Sequence, residues 1–120
     1  MKSMQLNEVR YEDQLPVDGY GPGFFRVAEK IHDGALFLTA SGAQSWGGYD
    51  DLAPLIQSVD DYDFVFVGTG ADIAPVPVAT REALDEAGVA IEVMSSPSAC
   101  RTYNILLSEG RRVALAVLPV

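Results

Sequence analysis

The sequence predicts an α/β fold of three layers, with a mixed central β-sheet, helices on both faces and an N-terminal β-hairpin at its flank. Three observations predict this class. The chain has 120 residues, 48% of them hydrophobic, which suits one domain (residues 1–120) with a substantial core. Its second half alternates apolar strand runs with amphipathic helical patterns, an order typical of parallel strands joined by helices. Its first half contains short strand-like runs separated by turns.

The first half predicts the flanking hairpin. Phe24 to Ile31 and Ala35 to Thr39 are strand-like, and His32-Asp33-Gly34 separates them. Because Asp-Gly between apolar runs favours a tight turn, we expect these two strands to pair. A further strand is predicted around residues 6–11. Residues 16–23 are rich in Gly and Pro, which predicts an irregular loop.

A short helix is predicted after Trp46-Gly47-Gly48. Asp50 is a good N-cap residue, and Pro54 is tolerated because it lies in the first turn. Apolar residues then recur at i, i+3, i+4 and i+7, which places them on one helical face: Leu52, Leu55, Ile56 and Val59.

The second half predicts three strands of one sheet and two intervening helices. The apolar run Phe64 to Val67 is typical of a strand buried on both faces. Gly88 and Gly110 are suitable C-terminal stops for the helices. The predicted strands are Phe64–Val67, Val89–Met94 and Val113–Leu118, and the predicted helices are Val78–Ala87 and the segment from about Ser98 to Gly110.

The charge excludes some classes of partner. The net charge is −9, from 17 acidic and 8 basic residues, so phosphate backbones and anionic membrane surfaces are repelled. No apolar run approaches the roughly 20 residues that span a bilayer. The first residues resemble neither a signal peptide nor a transit peptide, and the single cysteine suits a reducing compartment. We therefore expect a cytoplasmic protein that does not bind nucleic acid or insert into a membrane.

Two segments are candidate parts of a ligand pocket. Gly68-Thr69-Gly70 follows a predicted strand at its carboxyl end, where ligands of α/β proteins usually bind. Cys100, Arg101 and Asn104 lie near a predicted helix start, whose unpaired N–H groups and positive dipole end attract anions and favour a thiolate. We expect the two segments to lie side by side at one end of the sheet. The alternatives are a plain tight turn and a solvated helix face.

The same segments do not make a recognisable cofactor or metal site. The Gly-x-Gly-x-x-Gly fingerprint has Ile73 at its third glycine position, and Pro75 and Pro77 delay the next helix, so a nicotinamide cofactor is not expected. One cysteine and one histidine cannot form an ordinary zinc shell. A catalytic Cys100 lacks a base, because the sole histidine, His32, lies in a predicted turn. We expect Cys100 to be buried and slow to react, with no catalytic residue, cofactor or metal.

Trp46 is a candidate contact for a protein partner, or a lid, since it follows a polar segment and precedes two glycines. The alternative is an ordinary aromatic residue of the core.

Several segments together resemble a small α/β family of largely unknown function, which includes a mitochondrial assembly factor for respiratory complex I and an adipogenesis-associated cytosolic protein. The similarity covers roughly residues 5–119 and includes Trp46. It implies a three-layer fold with a mixed sheet and brings no established catalytic residue or cofactor. The mitochondrial members carry a targeting extension that this sequence lacks, so it resembles a bacterial-type member. The matching segments are Val65–Gly70, Gly88–Met94, Ala99–Leu106 and Glu109–Ala114.

Two functions remain open at this point. The resemblance implies a non-catalytic interaction protein that helps to assemble a respiratory or membrane complex, with another protein as its partner. The alternative is a binder of a small molecule or anion, or an enzyme, that uses Gly68-Thr69-Gly70 and the Cys100/Arg101 helix start. A closed pocket would favour the second function, and a broad apolar patch around Trp46 would favour the first.

Overall fold

The computed structural model describes residues 14–120. These residues form a three-stranded sheet in the order β1-β2-β3 and a five-stranded sheet in the order β5-β4-β8-β6-β7. The strands are β1 (Gly19–Gly21), β2 (Phe24–Val27), β3 (Lys30–Asp33), β4 (Leu36–Thr39), β5 (Gly42–Ser45), β6 (Phe64–Gly68), β7 (Ile91–Met94) and β8 (Val113–Val117). The α-helices are α1 (Ala53–Gln57), α2 (Val78–Glu86) and α3 (Ser96–Ser108). The strand predicted around residues 6–11 lies outside the described residues.

The five-stranded sheet is mixed, as the sequence predicts. β6 runs parallel to both β7 and β8, whereas β4 is antiparallel to β8 and β5. The three segments predicted to share one sheet therefore do so, and β6 lies between the other two. Its apolar run is buried from Val65 to Gly68, which is what a central strand covered on both faces requires.

Two layers cover the sheet, because side chains of each strand alternate between its faces. Val113, Leu115 and Val117 of β8 pack on one face, where α3 and the three-stranded sheet contribute the rest of the core. Ala114 and Ala116 point to the other face, which α1 and α2 cover. Together these layers confirm the α/β class with helices on both faces.

The predicted position of the hairpin turn is wrong. β2 pairs with β3, and Val27 opposite Lys30 closes a two-residue turn made by Ala28 and Glu29. Both turn residues have positive φ, 51° and 67°, the conformation of a type I′ turn. An Ala-Glu pair lacks the Asn or Gly that usually marks such a turn, so no local pattern predicts it. The Asp-Gly pair at Gly34 instead leads the chain from β3 into the other sheet.

Glu29→Gly should stabilise the protein. A non-glycine residue in the left-handed region costs about 1–2 kcal/mol, and glycine removes this strain. Part of the gain is offset, because glycine has more conformational freedom in the unfolded chain and loses it on folding. The Glu29 side chain is exposed, and its backbone N–H, which donates to Asp18 Oδ2 at 3.1 Å, is kept. We expect a gain of about 0.5–1 kcal/mol in urea unfolding. The control, Glu82→Gly on exposed α2, should lose about 1 kcal/mol. A loss at both positions would contradict the assigned turn.

The predicted N-cap of the first helix is also wrong. α1 begins at Ala53 with Leu52 as its N-cap, and Asp50 ends a short 3₁₀ turn that starts at Gly48. Pro54 explains the later start, because a proline fits only the first turn of a helix. The predicted glycine stops are confirmed: Gly88 and Gly110 follow α2 and α3 with φ of 79° and 82°.

Candidate functional site

The turn Gly68-Thr69-Gly70 lies against the start of α3, and Ser96 joins the two. Ser96 is fully buried, and its Oγ accepts a hydrogen bond from the Gly70 N–H at 2.9 Å. The same hydroxyl donates to the Leu118 carbonyl at 2.6 Å, and the Ser96 N–H donates to the Gly70 carbonyl at 2.7 Å. The turn is therefore beside the helix start, as expected, but its Gly70 N–H already has a partner inside the protein.

Gly68 is required by close packing. A Cβ added at this position would lie 2.6 Å from Val117 Cγ1 and 2.8 Å from Ser96 Cα. Neither neighbour can move freely, because Ser96 Cα is backbone and Val117 is fully buried in β8. A glycine after β6 thus lets α3 begin directly against the sheet.

Thr69 organises the loop that follows the turn. Its N–H donates to the Met94 carbonyl of β7 at 2.9 Å. Its hydroxyl lies 2.9 Å from the Asp72 carbonyl, to which it donates, and accepts from the Ala74 N–H at 2.9 Å. The polar groups of Thr69 are therefore used to hold the loop to β7.

A groove of about 520 Å³ separates β1 from α3, on the sheet face opposite α1 and α2. Cys100, Arg101 and Asn104 line it, while Gly68, Thr69 and Gly70 lie outside its lining. The structure thus divides the six candidate residues between the groove and the tight junction at Ser96. The complete lining is Val17, Asp18, Gly19, Tyr20, Pro97, Ser98, Cys100, Arg101, Asn104 and Ile105.

Cys100 is buried, as the sequence predicts, with 3% of its surface exposed. Burial raises the pKa of its thiol to about 12. The thiol is therefore protonated near neutral pH, because no compensating charge offsets the desolvation of a thiolate. His32, the residue considered as its base, lies half-buried in β3.

We expect Cys100 to react with a thiol reagent far more slowly than free cysteine at neutral pH. Cys100→Ala should cost about 1 kcal/mol of unfolding free energy, since it removes one small buried group. The control is Ala79→Cys in the Cys100→Ala background, because Ala79 is exposed and its thiol should react at the free-cysteine rate. Modification of native Cys100 faster than free cysteine would contradict this prediction and favour catalysis.

Arg101 is exposed in the groove and has no ionic partner within residues 14–120. The one ion pair in this part of the chain joins Arg112 to Asp63 at 3.4 Å. Asp18 also lines the groove, but its Oδ2 accepts a hydrogen bond from the Glu29 N–H. Among the described residues, no carboxylate therefore forms an ion pair with the guanidinium of Arg101.

Asn104 and Tyr103 hold residues 14–18, which we call the strap, against α3. The Asn104 side-chain amide accepts from the Val17 N–H at 2.8 Å and donates to the Val17 carbonyl at 2.9 Å. It thus pairs with Val17 as the backbone of an adjacent strand would. The Tyr103 hydroxyl donates to the Leu15 carbonyl at 2.9 Å and accepts from Gln14 Nε2 at 3.3 Å. Burial raises the pKa of Tyr103 and keeps this donor protonated.

Sequence reasoning missed the strap. The sequence predicts that Asn104 lines a pocket, and Asn104 does line the groove, but both polar atoms of its side-chain amide are hydrogen-bonded to Val17, 87 residues away along the chain. No local pattern predicts such a distant pair. The signal that could have found it is the adjacent Tyr103-Asn104 pair, because two hydrogen-bonding side chains beside a packing face need nearby partners.

Trp46 is a core residue with 5% of its surface exposed. Its Nε1–H donates to the Asp51 carbonyl at 2.8 Å, and its ring meets Tyr49 edge-on with 6.1 Å between centroids. It packs with α1 and α2, on the opposite sheet face from the groove. This position corresponds to the alternative of an aromatic core residue and leaves its ring almost no surface for a partner.

Residues 14–120 contain neither a metal-binding cluster nor a helix that could span a membrane. No group of three or more His, Cys, Asp or Glu side chains is placed to hold a metal ion. None of the helices there has both the length and the apolar character needed to cross a membrane.

Known proteins resemble this chain along most of its length. An uncharacterised protein of Rhodobacter capsulatus is 48% identical over 117 residues, covering 98% of this chain and 94% of the relative. The mouse NADH dehydrogenase [ubiquinone] 1 alpha subcomplex assembly factor 3 is 37% identical over 123 residues, covering 97% of this chain. This chain spans 66% of that factor, slightly less than two thirds of its length.

A solved structure matches the fold of this chain, and a family model matches its sequence. The crystal structure of an outer membrane protein from Bartonella henselae superposes with a TM-score of 0.80 at 31% identity, covering 89% of this chain and 96% of that one. The family model described as "Protein of unknown function (DUF498/DUF598)" matches residues 17–118. These residues include the groove, the Ser96 junction and every strand of both described sheets. The chain therefore belongs to the DUF498/DUF598 family, in agreement with the resemblance found in its sequence.

Proposed function

We propose that this protein is a non-catalytic interaction factor that assists the assembly of a respiratory NADH dehydrogenase complex. The observation that carries the proposal is the 37% identity to mouse assembly factor 3 along 97% of this chain. The matched length includes β1, α3 and the groove between them. The role named for the mouse protein belongs to a longer chain, so its transfer to this one is part of the proposal.

The described surface supports protein binding at the groove. Tyr20 and Ile105, on its two sides, are 45% and 48% exposed although both are large and apolar. Arg101 adds an available cation beside them. Aromatic side chains and arginine are enriched at the centres of protein interfaces, as Tyr20 and Arg101 are placed here.

Deletion of the gene in its native host tests the proposal. On native gels, we expect membranes of the deletion strain to contain a smaller amount of the fully assembled NADH dehydrogenase and a larger amount of its partial assemblies. NADH oxidation should fall in parallel, while succinate oxidation, which bypasses this complex, serves as the control. Normal amounts of the assembled complex without the gene would overturn the proposed function.

We also propose a cytoplasmic location, which the net charge of −9 and the single, buried cysteine support. Fractionation of the native host tests it. Recovery with the outer membrane, as the name of the Bartonella relative would suggest, would contradict it.

A second candidate function is binding of a small molecule or anion. It is favoured by the size of the groove, since pockets for small ligands are about 300–1,000 Å³. Inorganic phosphate is a direct probe, because Arg101 lines the groove close to the start of α3. Saturable shifts of the Ser98 and Arg101 amides, lost in Arg101→Glu, would support this candidate, and no shift at millimolar phosphate would exclude phosphate as the ligand.

A further inference from the structure

We propose that the groove between β1 and α3 binds an extended, acidic peptide segment of the partner protein, which adds a strand to the edge of β1. This inference rests on the proposed function and names the chemistry that its partner must present. Three features of the groove, each judged within residues 14–120, carry it: a strand edge with no neighbouring strand, apolar walls and a guanidinium with no ion pair.

The open strand edge is that of β1. Within residues 14–120, β1 (Gly19–Gly21) pairs with β2 alone and ends the three-stranded sheet on this side. An edge strand offers backbone N–H and C=O groups to another extended chain, and such pairing recurs where domains bind peptides. Gly19 and Gly21 flank Tyr20 and have no side chains to obstruct an approaching backbone.

The apolar walls give the peptide side chains a place to bind. Tyr20 comes from β1 and Ile105 from α3, so they face the groove from two different elements. Val17 and Cys100 lie at its base and are buried, with 7% and 3% of their surface exposed. Because alternate side chains of a strand point the same way, an added strand can direct apolar residues into this space.

The charge of the groove selects an acidic peptide. The protein carries a net charge of −9, yet the groove presents Arg101 without an ion pair among the described residues. Asp18, the acidic residue in the lining, holds its carboxylate at the Glu29 N–H and forms no ion pair with Arg101. A planar guanidinium binds a carboxylate through two parallel hydrogen bonds, which neither a hydroxyl nor an amide reproduces. We therefore assign an Asp, Glu or C-terminal carboxylate of the peptide to Arg101.

Selection from a display library of random eight-residue peptides tests the assignment. The wild-type protein should enrich peptides that alternate apolar residues around an Asp or Glu. Arg101→Glu should instead enrich Lys or Arg at that position and bind the wild-type peptides at least about tenfold more weakly, since it loses the charge-assisted hydrogen bonds and adds a like charge. The matched control is Arg81→Glu on α2, which makes the same charge change on the opposite sheet face and should leave the selection unchanged.

The site of binding needs a second measurement. The best selected peptide should shift the backbone amides of residues 19–21 and of α3 in NMR spectra, and Ile105→Ser should weaken its binding. The proposal is overturned if no peptide is enriched, if wild type and Arg101→Glu enrich the same peptides, or if the shifts lie elsewhere. It is also overturned if the groove is occupied by a second copy, which would appear as a dimer dissociated by Arg101→Glu.

These results are separable from those of the deletion strain. If the protein binds peptides in a charge-dependent way but the deletion strain assembles NADH dehydrogenase normally, the groove assignment stands and the proposed function is overturned. Failed assembly together with no peptide selection would do the reverse.

Discussion

Gly68→Ala should be the most damaging small substitution in the described chain, with an expected loss of about 3 kcal/mol of unfolding free energy. The added methyl group would lie within 2.6–2.8 Å of Val117 Cγ1, Ser96 Oγ and Ser96 Cα. Relief requires the start of α3 to move away from the sheet, which would also lengthen the hydrogen bonds of Ser96. Urea unfolding followed by circular dichroism measures the loss, and a variant too unstable to fold agrees with it.

Gly19→Ala is the matched control for this substitution. Gly19 likewise has no positive φ, and an added Cβ there would meet only the flexible end of Arg26, at 3.3 Å. We expect a change within about 0.5 kcal/mol, as for other surface substitutions. A Gly68→Ala protein as stable as Gly19→Ala would show that the turn after β6 is not packed as described, and would return it to the ligand-binding hypothesis.

Ser96→Ala should cost about 2–3 kcal/mol. The substitution removes the hydroxyl that accepts from the Gly70 N–H and donates to the Leu118 carbonyl. Both groups then lose their partner at a site where Ser96 itself is fully buried, so their desolvation is no longer compensated.

Ser98→Ala, two residues further along α3, is the control for this prediction. Its side chain is exposed, and its backbone N–H still donates to the Oγ of Ser95, the N-cap residue of α3, at 3.4 Å. We expect little change in its urea midpoint. If the two alanine variants unfold at the same urea concentration, then Ser96 does not join α3 to the turn and to the end of β8.

The alternation of strands and helices could be predicted because each element shows a characteristic periodicity of apolar residues in its own segment. The buried run of β6 and the glycine stops of α2 and α3 each depend on a few adjacent residues, and the structure confirms them. The hairpin turn could not be predicted, because Ala28 and Glu29 adopt positive φ although neither is Asn, Asp or Gly, the residues usual at such turns. There the pairing of β2 with β3 overrides local preference.

The candidate site shows the same division between local and distant information. Gly68-Thr69-Gly70 was correctly placed at the carboxyl end of a strand, beside the start of α3. A glycine is required at position 68 because Ser96 and Val117 approach it closely. These residues lie 28 and 49 positions later in the chain, so no local pattern predicts the requirement. Asn104 was singled out as a polar helix residue, but its bonds to Val17 appear only once the chain is folded.

One measurement tests whether the groove is needed for the proposed function. It is the amount of fully assembled NADH dehydrogenase in a deletion strain of the native host that carries variant genes. Wild type and Arg81→Glu should restore the complex, because the groove is intact in both. Arg101→Glu should fold normally and yet fail to restore it, because its groove repels an acidic segment. Full restoration by Arg101→Glu would contradict the role assigned to the groove, and normal assembly without any copy of the gene would contradict the proposed function.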